Sequence, residues 1–321
     1  MASLRRAGSR LASSQSFWVT LATLLLCVFM AAISPAFASH DNFFNVTRNL
    51  AFVGLVALGQ TAVIVTAGID LSVGSVMGLA GIVTGLVLDA GQPLWMGVGC
   101  GLGVALLCGV ANGVLIAFLR LSPFVVTLGM LAIARSLALA VSNNRMVHGF
   151  GPDEALFLEM GGGATLGVAH PVWMLLGFAA LFGFGFHQTG FGRHLYAIGG
   201  NEEAARLAGV PVQRVKLAAY VLCSGMAGLS AVLMVGWLGA VTNALGQGSE
   251  LRVIAASVIG GANLMGGEGG AFGALVGAAL IEVIRNSLLL AGVDPYWQGT
   301  FVGLFIIGAM LLERARRAGA V

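Results

Sequence analysis

The sequence predicts an all-α polytopic membrane protein of about ten transmembrane helices, with broken helices and one short polar helix outside the bilayer. Of 321 residues, 58% are hydrophobic and only 9% are charged, and the mean hydropathy is +0.95. A soluble domain carries roughly 25% charged residues. Apolar segments of about 20 residues, the length that crosses a bilayer, recur along the whole chain. No polar segment is long enough for a soluble catalytic domain, so we expect a single transmembrane domain over 1–321.

The predicted spans follow one another with mostly short connections. They are approximately 17–34, 50–67, 71–88, 94–118, 123–142, 171–187, 215–237, 251–265, 271–290 and 297–312. The first follows a basic stretch that superficially resembles a secretory signal. Its apolar run, Phe17 to Ile33, is longer than most signal cores, so we interpret it as an uncleaved first span.

The arginine-rich regions agree with ten spans. The positive-inside rule predicts a cytoplasmic N-terminus (1–16), central loop (188–214) and tail (313–321). Segments 35–49 and 143–170 are then extracytoplasmic, the second an irregular loop with a short helix near 153–160. We therefore expect a multi-pass membrane protein with both termini in the cytoplasm.

Two apolar segments are interrupted by glycines and polar residues, at 67–75 and at 260–270. Paired interruptions indicate an internal repeat, although the two halves are only weakly similar. In transporters such interruptions mark places where half-helix ends and unwound backbone face a cavity, because bare backbone polar groups cannot face lipid.

Polar residues within apolar segments are costly and are candidates for a translocation path or gate. They are Asp70, Ser72, Arg135, Asn263 and Gln298. Asp70 has a structural alternative, since its carboxylate is placed to cap the helix that follows. Arg135 has no compensating residue nearby in the sequence.

Other intramembrane features have structural interpretations. Glu282 and Arg285, three residues apart on one helix face, are expected to neutralise each other. Tyr296 and Trp297 are typical interface anchors. Glycine pairs at small-xxx-small spacing predict close helix packing: Gly74/Gly78, Gly99/Gly103, Gly109/Gly113 and Gly273/Gly277.

One polar island, residues 199–209, stands near the middle of the chain. Asn201 is suited to an N-cap, Glu202 and Glu203 fall in the first turn, and Gly209 with Pro211 provides a stop. This predicts a helix of about two turns. It is either an ordinary solvated loop element or a surface for a soluble partner.

Several function classes are excluded or disfavoured. Lys216 is the only lysine, so no P-loop is present and the chain does not bind ATP in that way. The cysteines and histidines lack metal-ligand spacing, and no clustered basic face with aromatics points to nucleic acid. We expect no catalytic residue, no metal and no cofactor bound by this chain.

Transport is the function class that remains, and the candidates differ in the energy source that drives it. A proton- or sodium-coupled carrier would normally have more acids and histidines in midmembrane than this chain has. A channel gives no reason for a capped polar helix on one face. A carrier powered from outside its own chain is the better account.

Four motifs in order resemble the permease subunits of ribose-type sugar ABC importers, in the branched-chain amino acid/sugar permease superfamily. They are 68–75, 123–129 leading to Arg135, 196–209, and 250–261 followed by Gly266, Gly267 and Gly269. The resemblance implies import of a ribose-like pentose, hexose or deoxysugar by alternating access. It also implies a place in the bacterial inner membrane, a second permease copy or sister permease, two ATPase domains that use ATP and Mg²⁺, and a periplasmic sugar-binding protein. The loop 188–214 is then the cytoplasmic coupling loop.

The resemblance also gives the polar island a role. Glu203-Ala204-Ala205 with Gly209 matches the coupling motif of bacterial importers, although the Ile-x-Leu-Pro ending is absent. The implied ATPase-coupling residues are Gly200, Asn201, Glu202, Glu203, Ala204, Ala205, Arg206 and Gly209. Two alternatives stay open, a stand-alone secondary carrier or facilitator and, more weakly, a membrane interaction protein without transport.

Overall fold

The computed structural model describes residues 15–294, 296–297, 299–301, 303–304 and 307–308. Within 15–294 there are twelve α-helices, a 3-10 turn at Gly151–Asp153 and a two-stranded hairpin. The helices are α1 (Gln15–Ile33), α2 (His40–Val65), α3 (Val73–Asp89), α4 (Leu94–Ala117), α5 (Pro123–Ser142), α6 (Glu154–Gly162), α7 (His170–Gln188), α8 (Gly190–Gly200), α9 (Glu202–Leu207), α10 (Val212–Leu238), α11 (Ser249–Ile259) and α12 (Ala271–Leu290). The hairpin pairs β1 (Ala164–Thr165) with β2 (Val168–Ala169).

Helices α2 and α10 form the centre of the bundle. Their most apolar windows are 89% and 67% buried, against 11% for α1 and 17% for α5. Helix α10 packs on α2, α3 and α4, while α2 also contacts α7, α11 and α12. The core therefore surrounds these two helices, and α1 and α5 lie at the periphery.

Glycines bring the central helices together. A Cβ on Gly59 of α2 would lie 2.7 Å from the Cα of Cys223, and one on Gly109 of α4 would lie 2.8 Å from the carbonyl oxygen of Tyr220. Both contacts are with the α10 backbone, so a larger residue would separate the helices. The packing role predicted for Gly109 is confirmed, whereas Gly99 and Gly103 face open space.

The all-α membrane fold is confirmed, but the count of ten spans is not. Among the described residues, seven helices are long and apolar enough to cross a membrane: α1, α2, α4, α5, α7, α10 and α12. Helix α3 is apolar but has only 17 residues, about 26 Å at 1.5 Å per residue. The predicted span 297–312 lies partly outside the described residues.

The predicted span 251–265 was too long. Helix α11 has 11 residues and ends at Ile259, so it reaches only about 16 Å, half of a bilayer core. It ends where Gly261 has a φ of +108°. Gly260 also packs directly against the Gly273 backbone of α12.

The predicted boundary at residue 50 was also wrong, because α2 begins ten residues earlier at His40. The Ser39 side chain accepts a hydrogen bond from the Asn42 amide at 3.2 Å, and Asp41 lies in the first turn. These capping contacts start the helix within a polar stretch that hydropathy alone assigns to a loop.

The short helix expected near 153–160 is present as α6, preceded by the 3-10 turn. The β1–β2 hairpin after it was not predicted. Its two turn residues, Leu166 and Gly167, have φ of 55° and 74°, as a type I′ turn requires. A leucine at the first position hid this turn from the sequence pattern.

Candidate functional site

The predicted polar helix is present as the second half of a helical arm. We call residues 189–211 the polar arm; it contains α8 and α9, joined at Asn201 in an extended conformation with φ −161°. The Asn201 side chain accepts a hydrogen bond from the Ala204 amide at 2.9 Å. After Leu207 the chain turns through Gly209, whose φ is +83°. The predicted cap, two-turn length and stop are therefore confirmed.

Glu202 fastens α9 to the bundle. Its carboxylate accepts a hydrogen bond from Arg206, one turn along α9, at 2.8 Å, and another from Lys216 of α10. Partial burial acts to raise the pKa of Glu202, but the hydrogen bonds and charges of Lys216 and Arg206 outweigh it and leave the pKa below its ordinary value. Glu202 is thus an anchor that faces inward from the arm.

The opposite face of α9 is open. Glu203 and Ala204 are exposed, while Ala205 is buried beneath them. Leu207, one turn from Glu203, is 85% exposed. We did not single out Leu207 from the sequence, although its i,i+4 spacing from Glu203 placed it on the same face. An acidic and an apolar group are thus exposed together on this face of α9.

The arm also contacts the bundle at a second place. The Tyr196 hydroxyl donates to the Gly269 carbonyl oxygen at 2.8 Å, and a Cβ on Gly199 would collide with the Val65 and Gly267 backbones. The Gly267 amide in turn donates to the Val65 carbonyl oxygen at 2.9 Å. Backbone therefore lies against backbone, and the arm touches the end of α2 and the interrupted segment at 260–270.

The earlier interruption, which we call the first break (residues 66–72), is buried. Asp70 and Ser72 are 0% exposed. One oxygen of Asp70 accepts hydrogen bonds from the Ser72 amide at 2.8 Å and from the Ser72 hydroxyl at 2.6 Å. Ser72 is itself the N-cap residue of α3, and α3 has no side-chain cap hydrogen bond, so Asp70 holds the turn before the helix instead of capping it as predicted. The translocation or gating role of these two residues stays a prediction.

Two amides from neighbouring helices extend this cluster. Asn112 of α4 donates to the Ser72 hydroxyl oxygen at 3.0 Å. With its amide nitrogen turned toward the Asp70 carbonyl oxygen, Gln60 of α2 pairs with both backbone polar groups of Asp70, at 3.2 and 3.3 Å. The sequence analysis missed Asn112 and Gln60, because an amide within an apolar helix shows no partner until the helices pack.

Arg135 has hydrogen-bond partners from a distant part of the chain, in agreement with the absence of a compensating residue nearby in the sequence. Its guanidinium donates to the carbonyl oxygens of Asn243 and Leu245, the second at 3.1 Å. Both acceptors lie more than 100 positions away in the chain. They belong to the connection between α10 and α11, so α5 is tied to that loop.

The remaining candidates lie apart from the first break. Asn263 forms a surface turn, accepting from the Met265 amide at 3.0 Å and donating to Glu268 at 3.3 Å. Gln298 lies outside the described residues. Glu282 and Arg285 form the expected ion pair at 2.9 Å. The structure therefore brings together Asp70 and Ser72, whereas Arg135 and Asn263 form hydrogen bonds with other parts of the chain.

Known proteins are similar to this chain in sequence over nearly its whole length. Residues 42–310 match the protein family described as branched-chain amino acid transport system / permease component. The ribose import permease protein of Escherichia coli (strain K12) is 35% identical over 299 residues, which cover 92% of this chain and 93% of that protein. The ribose import permease protein of Bacillus subtilis (strain 168) is 36% identical over 300 residues, covering 93% and 92%. The fructose import permease protein of Rhizobium meliloti is 35% identical over 297 residues, covering 91% and 82%.

Proposed function

This chain belongs to the branched-chain amino acid transport system / permease component family, and from that premise we propose that it is the membrane-spanning permease subunit of an ATP-driven importer for a monosaccharide. Its similarity to ribose and fructose import permeases, over more than nine-tenths of the chain, supports a sugar as cargo. Seven helices that can span a membrane support a multi-pass protein of the inner membrane.

The observation that carries the proposal is the polar arm. Helix α9 is capped at Asn201 and anchored through Glu202, yet it presents Glu203 and Leu207 to solvent. An apolar side chain that is 85% exposed at the tip of an ordered helix fits a surface that a soluble partner covers. We propose that this partner is the ATPase subunit, which supplies the ATP and Mg²⁺ chemistry.

The arm is suited to transmit force because its inner face is fixed. Glu202 joins it to Lys216 of α10, and Gly199 lies against Val65 at the end of α2 and against Gly267 in the interrupted segment 260–270. A displacement of α9 by the ATPase would therefore move the central helices of the bundle. In this mechanism the sugar moves by alternating access along the interface with a second permease copy or a sister permease.

The orientation follows from the same proposal. The arm and both termini would lie in the cytoplasm, as the arginine-rich regions indicate. The connection 143–170, with α6 and the hairpin, would face the periplasm and the sugar-binding protein. Asp70 and Ser72 would serve mainly to hold the first break, with selection of the sugar left chiefly to the binding protein.

The test is a charge reversal on the open face of α9. The permease carrying Glu203→Arg is reconstituted in vesicles with the ATPase and the sugar-binding protein encoded beside it. We expect sugar-stimulated ATP hydrolysis and uptake to fall together, because the substitution alters only the surface offered to the ATPase. Glu203→Asp, which keeps the negative charge at the same exposed position, is the matched control and should leave both nearly unchanged.

Two results would contradict the proposal. Normal uptake by Glu203→Arg would remove the coupling role of α9. Uptake by the unsubstituted permease without any ATPase, or uptake driven by a proton gradient, would instead favour a stand-alone carrier.

A further inference from the structure

We propose that a cavity beside α9 binds the phosphate group of an anionic phospholipid. The cavity has a volume of about 260 Å³ and lies between the α4–α5 connection, α9 and the start of α10. Arg120, Arg206 and Lys216 line it, with Glu202 as the one acidic residue. The transport function proposed above does not require this site.

The charges in the cavity favour an anion. Three cations face one carboxylate, so the lining keeps a net positive charge after Glu202 has paired with Arg206 and Lys216. Lys216 and Arg206 each retain further N–H donors, since a lysine has three and an arginine five. Arg120 forms no ion pair with any residue that the structure describes. Its guanidinium is free to bind phosphate through two parallel hydrogen bonds.

The start of α5 adds to this preference. Ser122 and Pro123 line the cavity, and Ser122, the N-cap residue, makes no side-chain cap hydrogen bond. The first amides of this 20-residue helix therefore lack a side-chain acceptor, and its dipole places partial positive charge at the same end. Beside them, Arg120 has a φ of +56°, a left-handed conformation that is unfavourable outside glycine. Such conformations persist chiefly where a site requires them.

The surroundings identify the source of the phosphate as a lipid. Around Arg120 the chain exposes large apolar side chains to the membrane: Phe118, Leu119, Leu121, Phe124 and Val125, each 48% exposed or more. Acyl chains would cover these groups, whereas a soluble phosphate would not. The cavity has the volume of about nine water molecules, enough for a phosphodiester and part of its glycerol. Basic pockets between helices at the membrane surface are characteristic sites for anionic lipid headgroups.

A lipid held here would join two parts of the molecule. Arg120 belongs to the α4–α5 connection and Arg206 to α9, so one phosphate would bridge the bundle and the polar arm. The bridge lies on the inner side of α9, away from Glu203 and Leu207, and leaves the open face available to a partner.

Native mass spectrometry of the full-length purified permease tests the proposal. Binding of phosphatidylglycerol is compared with binding of phosphatidylcholine over a range of concentrations. Separate samples contain inorganic phosphate or glycerophosphoglycerol, the headgroup without acyl chains. We expect one phosphatidylglycerol per chain to bind preferentially. Arg120→Ala should weaken that binding about tenfold, the effect of losing one charged contact. Arg214→Ala removes an equal charge from an exposed position outside the cavity and should leave binding unchanged.

The other results would overturn the proposal. Equal binding of both lipids, or equal phosphatidylglycerol binding by Arg120→Ala and the unsubstituted chain, would remove the site. Displacement of the lipid by inorganic phosphate or glycerophosphoglycerol at similar concentrations would show that a soluble anion occupies it. Arg120→Gln provides a second variant if Arg120→Ala does not fold, with thermal unfolding in phosphatidylcholine as the check. None of these binding measurements depends on transport, so a failure of the lipid proposal is distinguishable from a failure of the importer proposal.

Discussion

The two helix breaks both interrupt apolar segments with glycines and polar residues, and they are held by different means. The first break is buried, and the side chains of Gln60 in α2, Ser72 in the break and Asn112 in α4 form hydrogen bonds around Asp70. The second break, residues 260–270, is half-exposed and contacts the polar arm through the Gly199 backbone and the Tyr196 hydroxyl. The first break is thus a fixed part of the core, whereas the second is the part of the bundle that a movement of the arm reaches directly.

The largest effect on the first break is expected from substitution of Asp70. In Asp70→Leu the Ser72 amide and hydroxyl lose their acceptor within the core, at about 1–3 kcal/mol for each buried group. We expect little correctly assembled permease, measured by size-exclusion chromatography after membrane extraction.

Asp70→Asn is the matched variant, because its amide oxygen still accepts from Ser72. It should assemble and keep much of the uptake. Abolished transport by a well-assembled Asp70→Asn would show that the carboxylate acts in translocation, and the first break would no longer be only structural.

The second break is tested by a pair of adjacent glycines in α8. A Cβ on Gly199 would collide with the Val65 and Gly267 backbones, whereas one on Gly200 meets nothing within 4 Å. We expect Gly199→Ala to strain the contact by about 1–3 kcal/mol and to reduce uptake per ATP hydrolysed. Gly200→Ala adds no such strain, so any loss of coupling in this variant should be smaller than in Gly199→Ala. Equal coupling ratios in the two variants would show that the arm does not act through the second break.

A smaller effect is expected from the two tyrosines that reach the breaks. Tyr196→Phe removes a hydrogen bond of 2.8 Å to Gly269, worth about 1 kcal/mol. Tyr220→Phe removes a weak one of 3.4 Å to Ile69 in the first break. Amide exchange in residues 196–207 should quicken about fivefold in Tyr196→Phe and stay unchanged in Tyr220→Phe. Faster exchange of these amides in Tyr220→Phe than in Tyr196→Phe would contradict the proposed difference between the two breaks.

The smallest effect concerns acid pH and the anchor of the arm. The pKa of Glu202 is depressed in the folded protein, so its stabilisation is fully present above the ordinary glutamate value of 4.5. The stabilisation is lost as the pH falls through the lower folded pKa. An NMR titration of labelled glutamate carboxyls should place Glu202 below 4.5, and Lys216→Ala should raise its midpoint. An unchanged midpoint in Lys216→Ala would show that the arm is not held by this pair.

Features set by neighbouring residues could be predicted from the sequence. Asn201 caps α9 through an amide three residues away, Asp70 accepts from the Ser72 amide two residues away, and Glu282 pairs with Arg285 one turn along the helix. The carbonyl partners of Arg135 and the contact of Tyr196 with Gly269 join residues 73 to 110 positions apart. No local pattern encodes them, because they exist only once the helices pack. The short α11 escaped prediction for a similar reason, since apolar residues continue beyond the glycines that end it.

The peripheral position of α1 has a consequence for the order of synthesis. Helix α1 is held by hydrogen bonds from Gln15 and Ser16 to backbone carbonyl oxygens at Val258 to Gly260, 243 to 244 residues later. A ribosome adds about 5–20 residues per second, so at least roughly 12 s separate α1 from its partners. During that interval α1 must stand alone in lipid. Its mean hydropathy of 2.2 makes it stable there by itself. Helix α1 therefore packs against α11 and the residues that follow it only after most of the chain has been inserted.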